Sequence, residues 1–266
     1  MTTISNSERS DRIRYTADVV AVVRFHEAEK KNPLVCDPFA HLFVSPHGEE
    51  LLKSARARWP FFADYLIVRV KYFDDTVSSL CEKEAVEQIV IFGAGNDMRA
   101  VRLPSLQKRR VFEVDFPDRI AHKKDVLIKA LKKLPENVVY VGADITHHNL
   151  VALLHRSGFV PGRKALIIME GLIYYLRPAG VDHLFAELSC LPPVGNMFLI
   201  DHISRDMSRT SHHVEKRTRS PYPEDPLGYL KQKGFNHIES VFLGNLTGNY
   251  FGKRHPERWW AITCRK

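Results

Sequence analysis

Five short apolar runs punctuate the middle of this chain, at 88–92, 110–114, 138–141, 165–169 and 196–200, separated by stretches of helical periodicity. A strand that is apolar along its whole length needs both faces covered. Parallel strands joined by crossover helices are the arrangement that covers them. The spacing therefore predicts an α/β fold with a doubly wound, mostly parallel sheet. Two further strand-like runs, 237–243 and 259–263, flank a polar connection containing Gly244, Gly248 and Gly252. They are expected to add an antiparallel pair at one sheet edge, for seven strands in all. Ahead of the sheet, after a polar start over 1–12, periods near 3.6 predict helices over 16–30, 38–44 and 60–81. The expected organisation is one domain over 1–266, with a helical cap over 1–84 and the sheet core over 85–266, since no repeat or low-complexity linker divides it.

At 266 residues, 44% of them hydrophobic, the chain can bury one large core. The nearest approach to a membrane segment, 17–25, is interrupted by Asp18 and Arg24, so neither a span nor a signal peptide is expected. Cys36, Cys81, Cys190 and Cys264 lie far apart, with no C-x-x-C pair and no histidine at ligand spacing. Neither a metal site nor a disulfide framework is indicated, and a reducing cytoplasm fits. The formal charge of +8 invites a nucleic-acid partner. However, Lys123, Lys124, Lys129, Lys132 and Lys133 interleave with Val126, Leu127, Ala130, Leu131 and Leu134 as a solvated face opposite an apolar stripe, and no nucleic-acid-binding motif accompanies them.

The first strand runs into Gly93-Ala94-Gly95-Asn96-Asp97. Small residues there let a ligand approach the backbone at the sheet's carboxyl end, although a plain tight turn uses the same residues. The second strand ends in Glu113-Val114-Asp115, placing Asp115 twenty residues beyond Gly95, where a carboxylate can accept from both hydroxyls of a ribose. A dinucleotide site shares this logic, which keeps an NAD-dependent oxidoreductase as an alternative. The G-x-G-x-x-G count from Gly93 ends on Met98 rather than glycine. That departure favours S-adenosylmethionine (SAM), which has no pyrophosphate to cradle. Asp144 and Ile145, after the third strand, suit an adenine amino group and ring face, or a helix cap. Arg69 lies on the apolar side of a helix with Phe62, Tyr65 and Phe73, where a buried cation needs an anionic partner, either a ligand carboxylate or an internal acid. Arg24 repeats that pattern among Ala17, Val20 and Ala28, or snorkels outward.

Taken in order, Asp37-Pro38-Phe39-Ala40, the segment around Arg69, the run Phe92-Gly93-Ala94-Gly95-Asn96-Asp97-Met98-Arg99-Ala100-Val101-Arg102, Phe112-Glu113-Val114-Asp115 and Glu170-Gly171-Leu172-Ile173-Tyr174-Tyr175-Leu176 resemble the leucine carboxyl methyltransferase family. The likeness is strongest to its bacterial branch of polyketide-type carboxyl O-methyltransferases, and extends from Arg14 to Asp201. It implies a SAM-dependent methyltransferase in which Arg69 and Arg24 meet the cofactor's carboxylate and Gly93 and Gly95 flank its methionine part. It also implies that Asp115 takes the ribose, Asp144 and Ile145 the adenine, and Glu170 the amino group. The chain departs from the family pattern at Val70, Asn96 and Met98.

The acceptor predicts the chemistry needed. A carboxylic acid, with a pKa of about 4, is already an anion at neutral pH, whereas a phenol near 10 needs a base. A small-molecule carboxylic acid is the expected partner, oriented by Tyr175, which matches the family's tyrosine, or by Tyr174. The candidate bases for a hydroxyl or amine acceptor are His147, His148, His202, His212 and His213, of which His202 follows the fifth strand where substrate is expected. A module that binds SAM without turnover is the non-enzymatic alternative.

Overall fold

Strand β1 (Gln88–Phe92) and strand β4 (Ala165–Met169) are buried along their whole length and lie side by side at the centre of the sheet. The computed structural model describes residues 6–192, 194–203, 222–252 and 259–266, with side chains from Thr16 onward. Around the central pair stand β2 (Arg110–Asp115), β3 (Val138–Gly142), β5 (Met197–Ile203), β6 (Asn236–Phe242) and β7 (Trp259–Arg265). The order is β3-β2-β1-β4-β5-β7-β6. The first five strands are parallel, and β7 runs antiparallel between β5 and β6, so the expected sheet and its antiparallel pair are both present.

Side chains alternate across the strands, and each face builds its own core. Ile89, Ile91, Leu166, Ile168 and Leu199 pack toward the N-terminal helices. Val90, Phe92, Phe112, Ile167 and Phe198 pack on the opposite face, against α7 (Leu150–Arg156) and α8 (Pro178–Ser189). Successive strands move outward in both directions from the β1/β4 pair. An open α/β sheet makes its ligand crevice at such a switch point, beyond the carboxyl ends of the strands.

The cap consists of α1 (Asn6–Ala28), a 3-10 turn at Ala40–Phe43, α2 (Pro46–Arg58) and α3 (Phe62–Lys83). Helix α1 begins within the stretch expected to be a polar start. Helix α2 was absent from the expected set, although its signal is local: Ser45 accepts from the Gly48 amide as N-cap, and Pro46 occupies the first turn. Helix α3 buries Phe62, Tyr65, Leu66, Arg69, Phe73 and Val77 on one face, as its period predicts. The supposed polar connection before β7 begins as helix α10 (Leu243–Phe251), ended by Gly252 at φ +67°. Shorter helices α4 (Arg99–Arg102), α5 (Pro104–Gln107) and α9 (Pro226–Gln232) complete the described connections. No described helix is long and apolar enough to cross a membrane.

Helix α6 (Pro117–Leu131) departs from the reading of its lysines. Lys123 is only 1% exposed, while Ala130 and Ile128 face outward. Its Nζ lies 2.6 Å from the Glu113 carboxylate of β2 and donates to the Asp97 carbonyl. An aliphatic stem continuing the Ile120–Leu127 stripe makes the position half-apolar, and a buried strand carboxylate supplies the partner. Burial pushes the Glu113 carboxyl up to about 7, against the opposing pull of Lys123. A raised carboxyl pKa adds stability below its ordinary value of 4.5, and that contribution is lost as pH rises through about 7. Urea midpoints measured from pH 5 to pH 8 are expected to fall across that window, and Glu113→Gln should flatten this limb. An equal slope in the variant would exclude Glu113 as its source.

Candidate active site

A cavity of about 1050 Å³ opens at the carboxyl ends of the central strands. Its floor begins at the turn after β1, where Gly93 and Gly95 have φ values of +65° and +44°. A Cβ on Gly93 would come within 2.9 Å of Leu172, and one on Gly95 within 3.2 Å of the Ala17 methyl. Both the left-handed backbone and the closeness of α1 therefore call for glycine, with buried Ala94 between them. Asp115, at the end of β2, holds the turn: Oδ2 accepts from the Gly95 amide at 2.7 Å and Oδ1 from the Phe116 amide at 2.7 Å. Asn96 ties the turn to the cap, since Nδ2 donates to Asp18 at 3.1 Å and its carbonyl accepts from Arg24 at 2.7 Å. The departures at Val70 and Met98 are both buried, and Met98 packs with Ala21, Phe43 and Leu127.

Asp144 and Ile145 line the cavity beyond β3. Asp144 Oδ1 accepts from the Thr146 amide at 2.9 Å and hydroxyl at 2.6 Å, and Oδ2 stands 3.0 Å from His147 Nδ1. The α7 cap is Asn149, which accepts from Ala152, so Asp144 stabilises its own turn rather than starting that helix.

The opposite wall is built on charge. Glu170, at the end of β4, receives Arg69 Nε on Oε1 at 2.9 Å and Arg99 Nη2 on Oε2 at 2.6 Å. Arg69 also donates to the Tyr174 hydroxyl at 2.9 Å and to Asp201 at 3.3 Å, and lies 5.0 Å over the Trp259 ring. Asp201 is fully buried and additionally accepts from the Gly171 amide at 2.6 Å and Trp259 Nε1 at 3.0 Å. Burial raises its pKa, with Arg69 the main opposing influence. Arg24 is buried against Asp37 at 3.1 Å. Both arginines thus have internal acids while facing the cavity, so the two alternatives at these positions coexist in space. Tyr174 and Tyr175 line the same wall, their rings 4.9 Å apart.

His202 lies elsewhere. Strand alternation puts Asp201 on the cap face with Arg69, turning His202 to the other side of β5, where it is buried and does not line the cavity. The expectation that it sits beside substrate is corrected accordingly. His147 is the one histidine among the described lining residues. His212 and His213 lie outside the described residues. Sequence reading also missed the wall formed by Val19, Val20, Leu51, Ala55, Phe62 and Leu66. Apolar positions on a cap helix carry no mark that separates a ligand wall from a packed core. No group of three or more His, Cys, Asp or Glu side chains among the described residues is arranged to hold a metal.

The model of the leucine carboxyl methyltransferase family matches residues 17–189, which span the glycine turn, Asp115 and the Glu170 segment. The chain belongs to that family. Among curated relatives, a Mycobacteroides abscessus protein named as an S-adenosyl-L-methionine-dependent methyltransferase is 32% identical over 196 residues, covering 70% of this chain and 63% of its own length. A second protein of that name from the same organism is 29% identical over 229 residues, covering 80% of this chain and 72% of its own. The chain thus spans a little under two thirds of the first relative. A Thermobifida fusca crystal structure titled as a methyltransferase superposes with a TM-score of 0.65 at 18% identity, covering 94% of each chain. The family and these names agree with the expected class, a SAM-dependent methyltransferase, and the superposition places the fold among α/β methyltransferases.

The described residues also fit the cofactor chemically: a carboxylate at the end of β2 suited to a ribose, a carboxylate flanked by guanidinium groups just after β4 suited to an amino group, and a glycine turn after β1.

Proposed function

We propose that this protein is a SAM-dependent O-methyltransferase acting on the carboxylate of a small, largely apolar acid. The observation that carries the reading is the convergence of Asp115, Gly93, Gly95 and Glu170 on one cavity beyond neighbouring strand ends. At about 1050 Å³ it exceeds the roughly 300–1,000 Å³ usual for one small ligand, which leaves room for an acceptor beside the cofactor. The cap supplies the remaining wall from aliphatic and aromatic side chains, suited to an apolar acceptor body.

SAM, when bound, would supply an electrophilic methyl carbon to a carboxylate oxygen, the new C–O bond replacing the C–S bond, with no proton to move. The residues have positioning to do. Asp115 and Glu170 hold the two ends of the cofactor, and Arg69 and Arg24 offer cations to its carboxylate. Tyr175 lines the cavity as the candidate to orient an acceptor carboxylate, while the Tyr174 hydroxyl already donates to Asp201 and accepts from Arg69, and the cap excludes water. A carboxylate acceptor needs no base, and the described cavity lining contributes only His147, next to Asp144 on the adenine side.

Calorimetry with S-adenosylhomocysteine tests the cofactor, and clear NAD binding without it would favour an oxidoreductase. Binding without transfer to any acceptor would favour the non-enzymatic module. For the bond made, label from methyl-labelled SAM is expected to be released as methanol by mild alkali, with His202→Ala turning over within about tenfold of the parent. Alkali-stable product would overturn the ester in favour of a hydroxyl or amine acceptor, and a hundredfold loss in His202→Ala would contradict the placement of His202 away from the cavity.

A further inference from the structure

Arg99 stood in the sequence as one more residue of the segment after the glycine turn, yet no other described side chain joins as many acids. It is 3% exposed and bonds three carboxylates from three elements. Nε donates to Asp74 of α3 at 2.6 Å, Nη1 to Asp97 of the turn at 2.6 Å, and Nη2 reaches Glu170 after β4 at 2.6 Å. Its own amide donates to Asp97 Oδ1 at 2.7 Å. Asp74 is braced in turn by both terminal nitrogens of Arg102. The cap, the glycine turn and the end of β4 therefore meet on one guanidinium, which also lines the cavity.

We propose that Arg99 is a positioning residue that orients Glu170 for an ammonium group of the bound ligand, the amino-acid end of the cofactor. This rests on the SAM reading above. The argument is one of geometry and valence. A carboxylate side chain held at one oxygen can still swing about its last torsion, which is broad. With Arg69 on Oε1 and Arg99 on Oε2, both oxygens of Glu170 are held and the plane of the group is set. Each carboxylate oxygen offers about two acceptor sites, and these bonds use one on each, leaving the others for an ammonium. Arg99 can perform this role because its remaining arms are fixed by Asp74 and Asp97, while lysine could not span three acids at once.

The test compares two ligands that share the adenosine part. S-adenosylhomocysteine carries the amino-acid end, and 5′-methylthioadenosine lacks it. By calorimetry, Arg99→Met is expected to weaken the first at least tenfold and to leave the second within threefold. Because Arg99 acts through Glu170, Arg99→Met combined with Glu170→Gln should bind S-adenosylhomocysteine within threefold of Glu170→Gln alone. Should Arg99→Met fail to fold, Arg99→Lys serves, with the same selective loss expected at threefold or more. Equal losses for both ligands in a folded variant would make Arg99 a purely structural residue and overturn the proposal, as would unchanged binding of both. If the parent protein binds neither ligand, the SAM reading itself has failed, an outcome distinct from either.

Discussion

Replacing Arg69 with methionine is expected to lower folding stability by about 3–5 kcal/mol, the usual consequence of removing one member of a buried ion pair. Arg69 has only 5% of its side chain exposed and serves Glu170, Tyr174 and Asp201 together. Methionine fills much of the volume but leaves Asp201 without its main counter-charge. Asp201 would keep the Gly171, Tyr174 and Trp259 donors, so its hydrogen bonds survive while its charge stands uncompensated. Burial already pushes its pKa up, and loss of Arg69 pushes it further. The variant's deficit should therefore be smaller in mild acid, where Asp201 can take a proton, and larger at pH 8. Urea denaturation of both proteins at pH 5 and pH 8 measures it. A difference under 1 kcal/mol at pH 8 would mean that Arg69 only fills space between cap and sheet.

Asp115→Ala should weaken S-adenosylhomocysteine by about 5- to 150-fold, the equivalent of about 1–3 kcal/mol for buried polar groups that lose their acceptor. Two effects combine. The Gly95 and Phe116 amides lose the carboxylate that shapes the turn, and on the proposed reading the ribose hydroxyls would lose their acceptor as well. Calorimetry, with circular dichroism to confirm folding, measures the change. Unchanged affinity in a folded variant would remove Asp115 from the site.

The sheet was legible because its signal is local. Runs such as Gln88–Phe92 and Ala165–Met169 are apolar throughout, and only strands buried on both faces need that. The spacing of Gly95 and Asp115 was legible for the same reason, since two adjacent parallel strands set it. Misreadings arose where the deciding partner is distant in sequence. Lys123 looked like one of a row of solvated lysines because Glu113 lies on a neighbouring strand. Glycines at 244 and 248 hid α10, whose Leu243 and Thr247 are held by tertiary packing. His202 was within reach of the sequence: once Asp201 is taken as inward-facing on β5, period-two alternation sends its neighbour to the other side. Arg99 was beyond reach, because its meaning lies in three acids drawn from positions 74, 97 and 170.

The line of buried charges from Asp37 through Arg24 and Arg102 to Asp74, Arg99, Glu170, Arg69 and Asp201 has a consequence for how this chain can change over generations. Between its ends, Arg24 and Asp201, each member pairs with more than one neighbour, so losing one strands a charge in a dry interior, and a second loss beside it can relieve the first. Such residues are trapped in sequence space one at a time and released only in compensating pairs. Lineages descended from this chain should accordingly inherit the ladder whole, or replace adjoining rungs together, whereas the apolar side chains that the cap adds to the cavity wall carry no such charge pairing and can change one at a time within the limits of packing.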